Sequence, residues 1–412
     1  MQLLEELIKL SRDFLKLKNS PYHRYFIKSD PFQHRLSLLL GQRGVGKTTT
    51  LVQYLMEKAS QNLFDPSILY VQADHFLMGN ASLYEIAADF HAMGGKFLAL
   101  DEIHKYQNWS QELKSIYDTF PTLNVVASGS SALQMHKGSH DLTRRAIKRQ
   151  MFGLSFREYL EIRLKTKFPM YALNEILQNH ERHAAFICEL CQEQDQKILP
   201  LFNHYLAYGY YPYFFELASG ELYFITLEQN LHTTLEVDLA AIYPHLTGAS
   251  IHKLKQLLIF IAKEVPFTPN WNKIKDTLEI GDVRTLKTYF QYLQDAYLIR
   301  AIGKNNHKLT HIASPEKVYL DNPNQMQALS MGNPNAGSQR ELFFLNMLSL
   351  KHDVALAVKG DFLIDEKFLF EVGGRKKNFD QISGEKNAFL ACDEIESGIN
   401  AKIPLWLFGF LY

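Results

Sequence analysis

The sequence predicts an α/β fold, a parallel sheet flanked by helices and followed by helical and small α/β modules. Three observations predict it. A glycine-rich octapeptide, Gly41-Gln42-Arg43-Gly44-Val45-Gly46-Lys47-Thr48, lies between an apolar run and a helical pattern. Over residues 1–156, short apolar runs alternate with amphipathic stretches, the rhythm of β-α units in a parallel sheet. Beyond them the chain becomes rich in Tyr, Phe and Leu, then basic, then apolar again.

Taken in order, residues 1–20 form an amphipathic helix with Leu3, Leu4, Leu7, Ile8, Phe14 and Leu15 on its apolar side. Leu36-Ser37-Leu38-Leu39-Leu40 suits a first buried strand, and Thr48 to Lys58 carries Leu51, Val52, Leu55 and Met56 at helical spacing. Residues 67–72, 97–100 and 124–128 read as strands two to four, with helices at 84–93 and 110–118. A fifth strand is expected around Met151 to Phe156. Residues 157–249 read as a helical region. Within it, the aromatic segment Tyr205 to Phe215 suits a packed helix end better than a base-stacking platform.

The octapeptide is a full G-x-x-x-x-G-K-[ST] phosphate-binding loop. A triphosphate needs a concave ring of backbone N–H donors, and Gly41, Gly44 and Gly46 let the chain curl that closely. Val45 and Thr49 complete the cradle around them. Lys47 can reach the β- and γ-phosphate oxygens, and the Thr48 hydroxyl can hold Mg²⁺. Strand, loop and helix N-terminus together aim N–H groups and a positive dipole end at an anion. This arrangement predicts a P-loop NTPase with ATP and Mg²⁺ as ligands. Arg43 is expected to point outward.

At 412 residues, the chain exceeds what one hydrophobic core supports, so several domains are expected. Lys+Arg and Asp+Glu both count 44, so any nucleic-acid face must be local. Glu5, Glu6 and Lys9 interrupt what would be the apolar part of a signal peptide, and no run of 18 apolar residues predicts a membrane span. Three cysteines fit a reducing cytoplasm. Cys188 and Cys191 with His180 and His183 have a metal-like spacing, but on one straight helix they would spread over about 16 Å. Core thiols are the expectation.

Phe97-Leu98-Ala99-Leu100-Asp101-Glu102 is an apolar run ending in two acids, 54 residues after Lys47. A parallel strand delivers Asp101 to its C-terminal edge, where ligands bind. Asp101 is expected to hold Mg²⁺, and Glu102 to act as general base on the attacking water. Ser128, with Ser130 and Ser131, ends the fourth strand where a hydroxyl can sense the γ-phosphate or position water; helix capping explains Ser130 and Ser131 equally well. Arg144 and Arg145 lie beyond it, and an arginine there can stabilise γ-phosphate charge in cis or in trans.

These residues together resemble the prokaryotic AAA-type (STAND-like) P-loop ATP-binding proteins that carry a C-terminal domain of unknown function. The resemblance rests on Gly46-Lys47-Thr48-Thr49, on Asp101-Glu102-Ile103 with Trp109, and on Gly129-Ser130-Ser131. Arg145-Ala146, Leu154-Ser155-Phe156 and Glu158 agree with later motifs, while Arg144 stands for a family Gly and Gly153 for a family Pro. It is specific over the first 160 residues and looser after them.

Residues 250–322 suit a winged helix-turn-helix, by pattern and by resemblance. Leu254 to Ala262, Trp271 to Leu278 and a third helix capped by Asp282 would be followed by a wing of residues 298–302 and 317–320. Residues 250–320 hold eleven Lys/Arg and six Asp/Glu, a net of +5. Arg284, Lys287, Thr288 and Gln291 would face DNA. Residues 323–412 resemble a restriction-nuclease-like fold. That fold implies an upstream Glu (Glu341, opening a helix), Asp361 and Glu371, with Mg²⁺ on the acids. The position of its lysine is Gly373, and Lys376 or Lys377 could substitute only if the strand bends there. A nuclease fold without nuclease activity is expected. The final Ile403 to Tyr412 reads as a buried last strand.

The sequence therefore points to a slow ATPase whose nucleotide state switches domain or partner contacts. Two alternatives stand beside it: an ATP-dependent DNA-binding or DNA-processing protein, and a non-hydrolysing scaffold for a protein partner. A homo-oligomer is compatible with all three.

Overall fold

The computed structural model describes residues 2–29, 31–79, 81–130, 142, 144–304, 315–330 and 332–412. Met1–Phe152 and Thr233–Leu246 form one compact unit, Gly153–His232 and Thr247–Tyr412 another. The stretch expected as one helical region, 157–249, is therefore divided, with residues 233–246 grouped in the first unit. Among the described residues no helix is long and apolar enough to cross a membrane.

The first unit holds a five-stranded sheet of β1 (Leu36–Gly41), β2 (Ile68–Gln72), β3 (Phe97–Asp101), β4 (Asn124–Ser130) and β5 (Ile147–Gln150) in the order β2-β3-β4-β1-β5. Every pairing is parallel. This is the P-loop NTPase arrangement, with β1 and β3 on either side of β4. β1 is buried at all six positions, as its unbroken apolar run requires for a strand covered on both faces. Helices α1 (Gln2–Lys18), α2 (Tyr25–Lys28), α3 (Lys47–Lys58), α4 (Leu83–Ala92) and α5 (Trp109–Thr119) surround it. α1 buries Leu4, Leu7, Ser11 and Leu15. The Ser11 hydroxyl accepts from the Tyr70 N–H at 3.0 Å, and Phe14 stacks on the Tyr70 ring. α4 begins with a capping box of Ser82 and Glu85, which satisfies donors that a helix start leaves open.

The fifth strand is not where the apolar run suggested. It is Ile147–Gln150, paired only with β1. An edge strand half open to water has no need of an apolar run, so Lys148 and Arg149 hid it. Met151 continues from it, donating its N–H to Leu40 O at 2.8 Å.

In the second unit, Gly153 stands where a side chain has no room: a Cβ would lie 2.5 Å from the Tyr210 ring and carbonyl. Tyr205, Tyr210 and Tyr211 are fully buried, so the aromatic segment packs inward and does not offer these rings to bases. Three helices, Gly248–Glu264, Trp271–Thr277 and Val283–Asp295, precede the antiparallel pair β6 (Ile299–Ile302) and β7 (Lys317–Leu320). Asp282 caps the third helix, accepting from Thr285 N–H at 2.8 Å.

A second, mixed sheet follows: β8 (Val354–Leu356), β9 (Phe362–Ile364), β10 (Phe368–Gly373), β11 (Ala388–Cys392) and β12 (Lys402–Pro404), in the order β12-β11-β10-β9-β8. β10, β11 and β12 are parallel neighbours, and β9 is antiparallel to β8 and β10. Two expectations are corrected here. Glu341 lies midway along the helix Ala336–Leu348 and does not open it. The last apolar run is buried, but only its start is strand; Leu405–Phe410 forms 3₁₀ turns with the Trp406 indole N–H on Ile395 O. An apolar run marks burial without choosing between strand and helix.

Candidate nucleotide site

The glycines of the loop are required for two different reasons. Gly44 and Gly46 have φ of +84° and +100°, values that side chains strain against. Gly41 has ordinary dihedrals, but a Cβ there would sit 2.5 Å from Met151 O. Arg24, buried, fastens the loop from outside by donating to Val45 O at 2.8 Å and to Phe152 O at 2.9 Å.

Lys47 is buried, with its Nζ donating to Gly41 O at 3.0 Å and Gln42 O at 2.9 Å. Burial pushes its pKa down, against the pull of Glu102, Asp101 and Asp238. The loop thus closes on its own lysine with neutral acceptors. Thr48 Oγ1 donates to Asp101 Oδ2 at 2.7 Å, so strands β1 and β3 bring the two expected Mg²⁺ residues into contact. Thr49 is half-buried on the first turn of α3, and Val45 is buried beneath the loop.

Asp101 is buried and collects donors on both oxygens. Tyr70 O–H reaches Oδ2 at 2.7 Å, and the Ser128 hydroxyl and the Glu102 N–H (3.1 Å) reach Oδ1. Ser128 is therefore fixed on Asp101. Glu102 has left-handed dihedrals, φ 54° and ψ 38°, and its N–H also lies 3.3 Å from Ser128 Oγ. Burial and the Asp101 charge drive the Tyr70 hydroxyl far above its ordinary pKa, so it stays a donor.

Arg43 turns inward, against expectation. Its Nη2 lies 3.0 Å from Asp238 Oδ1 and 3.9 Å from Glu102 Oε2. Burial opposes the charge on Arg43, yet Asp238 keeps its pKa above the ordinary value. Asp238 itself is raised by burial but held below the usual carboxylate range by His104 and Arg43. His104 Nε2 lies 3.3 Å from Asp238 Oδ1, and its Nδ1 accepts from Ser130 N–H at 3.3 Å. Lys105 bonds Asp74 and lies 3.5 Å from Glu102.

Neither Asp238 nor His104 was singled out by sequence. His104 follows Glu102 by two residues on the 3₁₀ turn Ile103–Lys105, which was a usable signal. Asp238 ends the π-helical segment Thr234–Asp238, and no local pattern marks it.

Arg145 is not brought to this site. It forms a two-point pair with Asp118 (2.8 and 2.9 Å) at the end of α5, just before β5 begins. That is the N-terminal edge of the strands, opposite the phosphate loop. Arg144 is exposed. Ser131 lies outside the described residues.

Farther along, the expected acids do converge in part. Glu341 accepts from Lys317 at 2.8 Å and from Tyr319 O–H at 2.6 Å. Asp361 accepts from Val372 N–H at 2.8 Å. Burial, then the charge on Glu341, pushes Asp361 up to about 6. Glu371 is 2% exposed and pairs with Lys377. The chain turns after Gly373, with Lys377 N–H on Gly374 O. A Cβ on Gly373 would lie 2.7 Å from Lys377 Cγ, so the lysine stem fills the space that a residue 373 side chain would take. Lys376 is exposed. Among the described residues no group of three or more His, Cys, Asp or Glu is arranged to hold a metal ion. Cys188 and Cys191 are pushed up by burial to about 11 and about 12, which keeps them thiols.

Of the four residues expected to face DNA, Arg284 and Thr288 are exposed. Lys287 lies over the Trp271 ring at 5.2 Å, and Gln291 donates to Asp295 at 2.6 Å.

Residues 33–160 match the AAA domain family. The match covers β1 to β5, the phosphate loop, Asp101 and Glu102, and supports a nucleotide-binding AAA-type protein. Residues 199–331 match a domain of unknown function (DUF8612). An uncharacterised protein of Methanocaldococcus jannaschii is 29% identical over 286 residues, which cover 65% of this chain and 56% of that protein. One from Haemophilus influenzae is 22% identical over 277 residues, 64% of this chain and 61% of that protein. The chain thus spans about three-fifths of the length of these relatives. Among solved structures, domain III of the replication initiation protein DnaA of Thermotoga maritima overlays 41% of this chain and 81% of that one, at 15% identity and a TM-score of 0.25. AMPPCP-bound DnaA of Aquifex aeolicus overlays 71% and 87%, at 14% identity and a TM-score of 0.26.

Proposed function

We propose that the chain binds ATP with Mg²⁺ and hydrolyses it slowly, using nucleotide state to switch contacts of its other modules or of a partner. One observation carries this reading: Lys47 in its glycine loop, Thr48 bonded to Asp101, and Glu102 next in the chain. Lys47 exchanges two neutral carbonyls for phosphate oxygens. Thr48 and Asp101 would hold the cation, whose charge would offset that of the phosphates. Glu102 accepts the proton of the attacking water, and Ser128 keeps Asp101 in place.

The test is phosphate release by wild type and by Glu102→Gln, with ATP binding followed by calorimetry for both and for Lys47→Ala. Binding retained and release lost in Glu102→Gln supports the reading. ATP uptake that Lys47→Ala leaves intact removes it. For the switch, limited proteolysis with ADP and with a non-hydrolysable ATP analogue should give different patterns; equal patterns count against it.

The three helices with β6 and β7 have the element order of a winged helix, and we read them as one. Its net charge of +5 over residues 250–320 and exposed Arg284 favour DNA as a second ligand. A DNA shift that weakens with salt and is lost in Arg284→Ala supports this. The C-terminal sheet is read as a nuclease-like module that does not cleave, because Glu341 and Glu371 each already hold a lysine. Mn²⁺-dependent cleavage abolished by Lys377→Ala overturns that. The protein is read as cytoplasmic, and its oligomeric state is a matter for light scattering with and without ATP.

A further inference from the structure

Two carboxylates contest the same two donors beside the phosphate loop. Arg43 Nη2 is 3.0 Å from Asp238 Oδ1 and 3.9 Å from Glu102 Oε2. His104 Nε2 is 3.3 Å from Asp238 Oδ1 and 3.7 Å from Glu102 Oε2. Asp238 is the nearer acceptor in both cases. The Ser130 N–H points at His104 Nδ1, so that nitrogen carries no proton. The ring proton therefore sits on Nε2, where Asp238 receives it. Lys105, which also lies near Glu102, has Asp74 as its closer partner. Arg43 and Lys105 are thus each nearer to another carboxylate than to Glu102.

We propose that Asp238 is a positioning residue of the nucleotide site: by holding Arg43 and His104 it keeps the Glu102 carboxylate free to take a proton from water. This rests on the ATPase reading above and adds a residue 136 positions beyond Glu102 to it.

The physical reason is occupancy. A guanidinium engages carboxylate oxygens in charge-assisted, often two-point bonds, and oxygens so engaged are not open to a water. Asp238 is 3% exposed, and a buried charge has to be paired. It is well suited to the task because Arg43 gains more from a desolvated partner than from Glu102, whose side chain is 20% exposed against 4% for Asp238. Without the Asp238 charge, Glu102 is the carboxylate that remains within 4 Å of Arg43 among the described residues. The segment that carries Asp238 is π-helical over Thr234–Asp238, an irregularity frequent where a helix serves a site.

The experiment compares steady-state phosphate release and calorimetric ATP binding for wild type, Asp238→Asn, Arg43→Gln and the double variant. Asp238→Asn should lower kcat by about ten- to a hundredfold, with KM and the ATP Kd within about threefold of wild type. That split separates a captured Glu102 carboxylate from a damaged binding loop. Adding Arg43→Gln removes the cation that would seize Glu102. The double variant should therefore recover kcat to within about threefold of Arg43→Gln alone. A fold defect in Asp238→Asn would weaken ATP binding and would not be rescued, and either result overturns the proposal. So does an unchanged kcat in Asp238→Asn while wild type turns over; that outcome leaves the ATPase reading standing. No release by wild type removes the ATPase reading and this proposal together.

Discussion

Gly41→Ala isolates the way β5 and the phosphate loop depend on one another. A Cβ at position 41 would lie 2.5 Å from Met151 O and 3.2 Å from Val45 Cγ2. Neither backbone can yield easily. Gly41 ends β1 in register with Ser130 of β4, and Met151 N–H is tied to Leu40 O at 2.8 Å. Overpacking of this kind costs about 1–3 kcal/mol. β1 is held by pairings on both sides, so the displacement falls on the loop that follows it. If that cost is borne by the nucleotide-ready loop, affinity falls by roughly five- to 150-fold, at about 1.4 kcal/mol per tenfold. The assay is calorimetric titration with ADP and Mg²⁺, with circular dichroism to verify that the fold persists. Trimming the Met151 side chain should not restore binding, because the colliding atom is a carbonyl oxygen. An ADP affinity within about twofold of wild type would refute the argument that this approach shapes the loop.

Tyr70→Phe deletes the hydroxyl donor to buried Asp101 and keeps the ring stacked on Phe14. It should cost about 1.5–3 kcal/mol, read as a lower urea midpoint for loss of nucleotide-site structure. Asp361, raised from 3.8 to about 6, favours folding below its unfolded pKa and loses that contribution as pH rises through about 6. Asp361→Asn should therefore raise the melting temperature at neutral pH, with the gain shrinking through that window and gone near pH 4. Arg145→Gln breaks an exposed pair at the far edge of the sheet, so ATP turnover in dilute solution should stay within about twofold of wild type. A loss that grows with protein concentration would instead place this arginine in a neighbour's site.

The phosphate loop was legible because backbone geometry leaves so few choices: only glycine tolerates the dihedrals at 44 and 46, and only a strand ending in an acid places Asp101 where Thr48 can reach it. Partners chosen by tertiary packing were not legible. Tyr70 looks like any strand tyrosine, Arg24 like any loop arginine, and Asp238 like a helical surface acid. Their roles depend on what lies across the fold. Arg43 was expected outside because a loop arginine usually seeks water, and the buried acceptor at 238 reversed that. β5 escaped because an edge strand needs no apolar signature. Lys377 was visible as a candidate, but the turn after Gly373 that returns it to Glu371 was not.

The cations around the loop differ in what they would give up to meet a polyphosphate. Lys105 and Arg43 are each bound to a carboxylate, Asp74 and Asp238. Taking Arg43 from Asp238 would leave that buried carboxylate with His104 alone, a loss that costs more than giving up a neutral carbonyl. Lys47 holds only carbonyl oxygens, Gly41 O and Gln42 O. Those acceptors lose little when the ammonium leaves, and the ammonium gains a charged partner in return. Of these three, Lys47 would therefore be the cation to meet a phosphate at least cost, because its partners are neutral. Using Lys47 preserves the rest of the network, in which Glu102 remains the carboxylate that no cation holds closest.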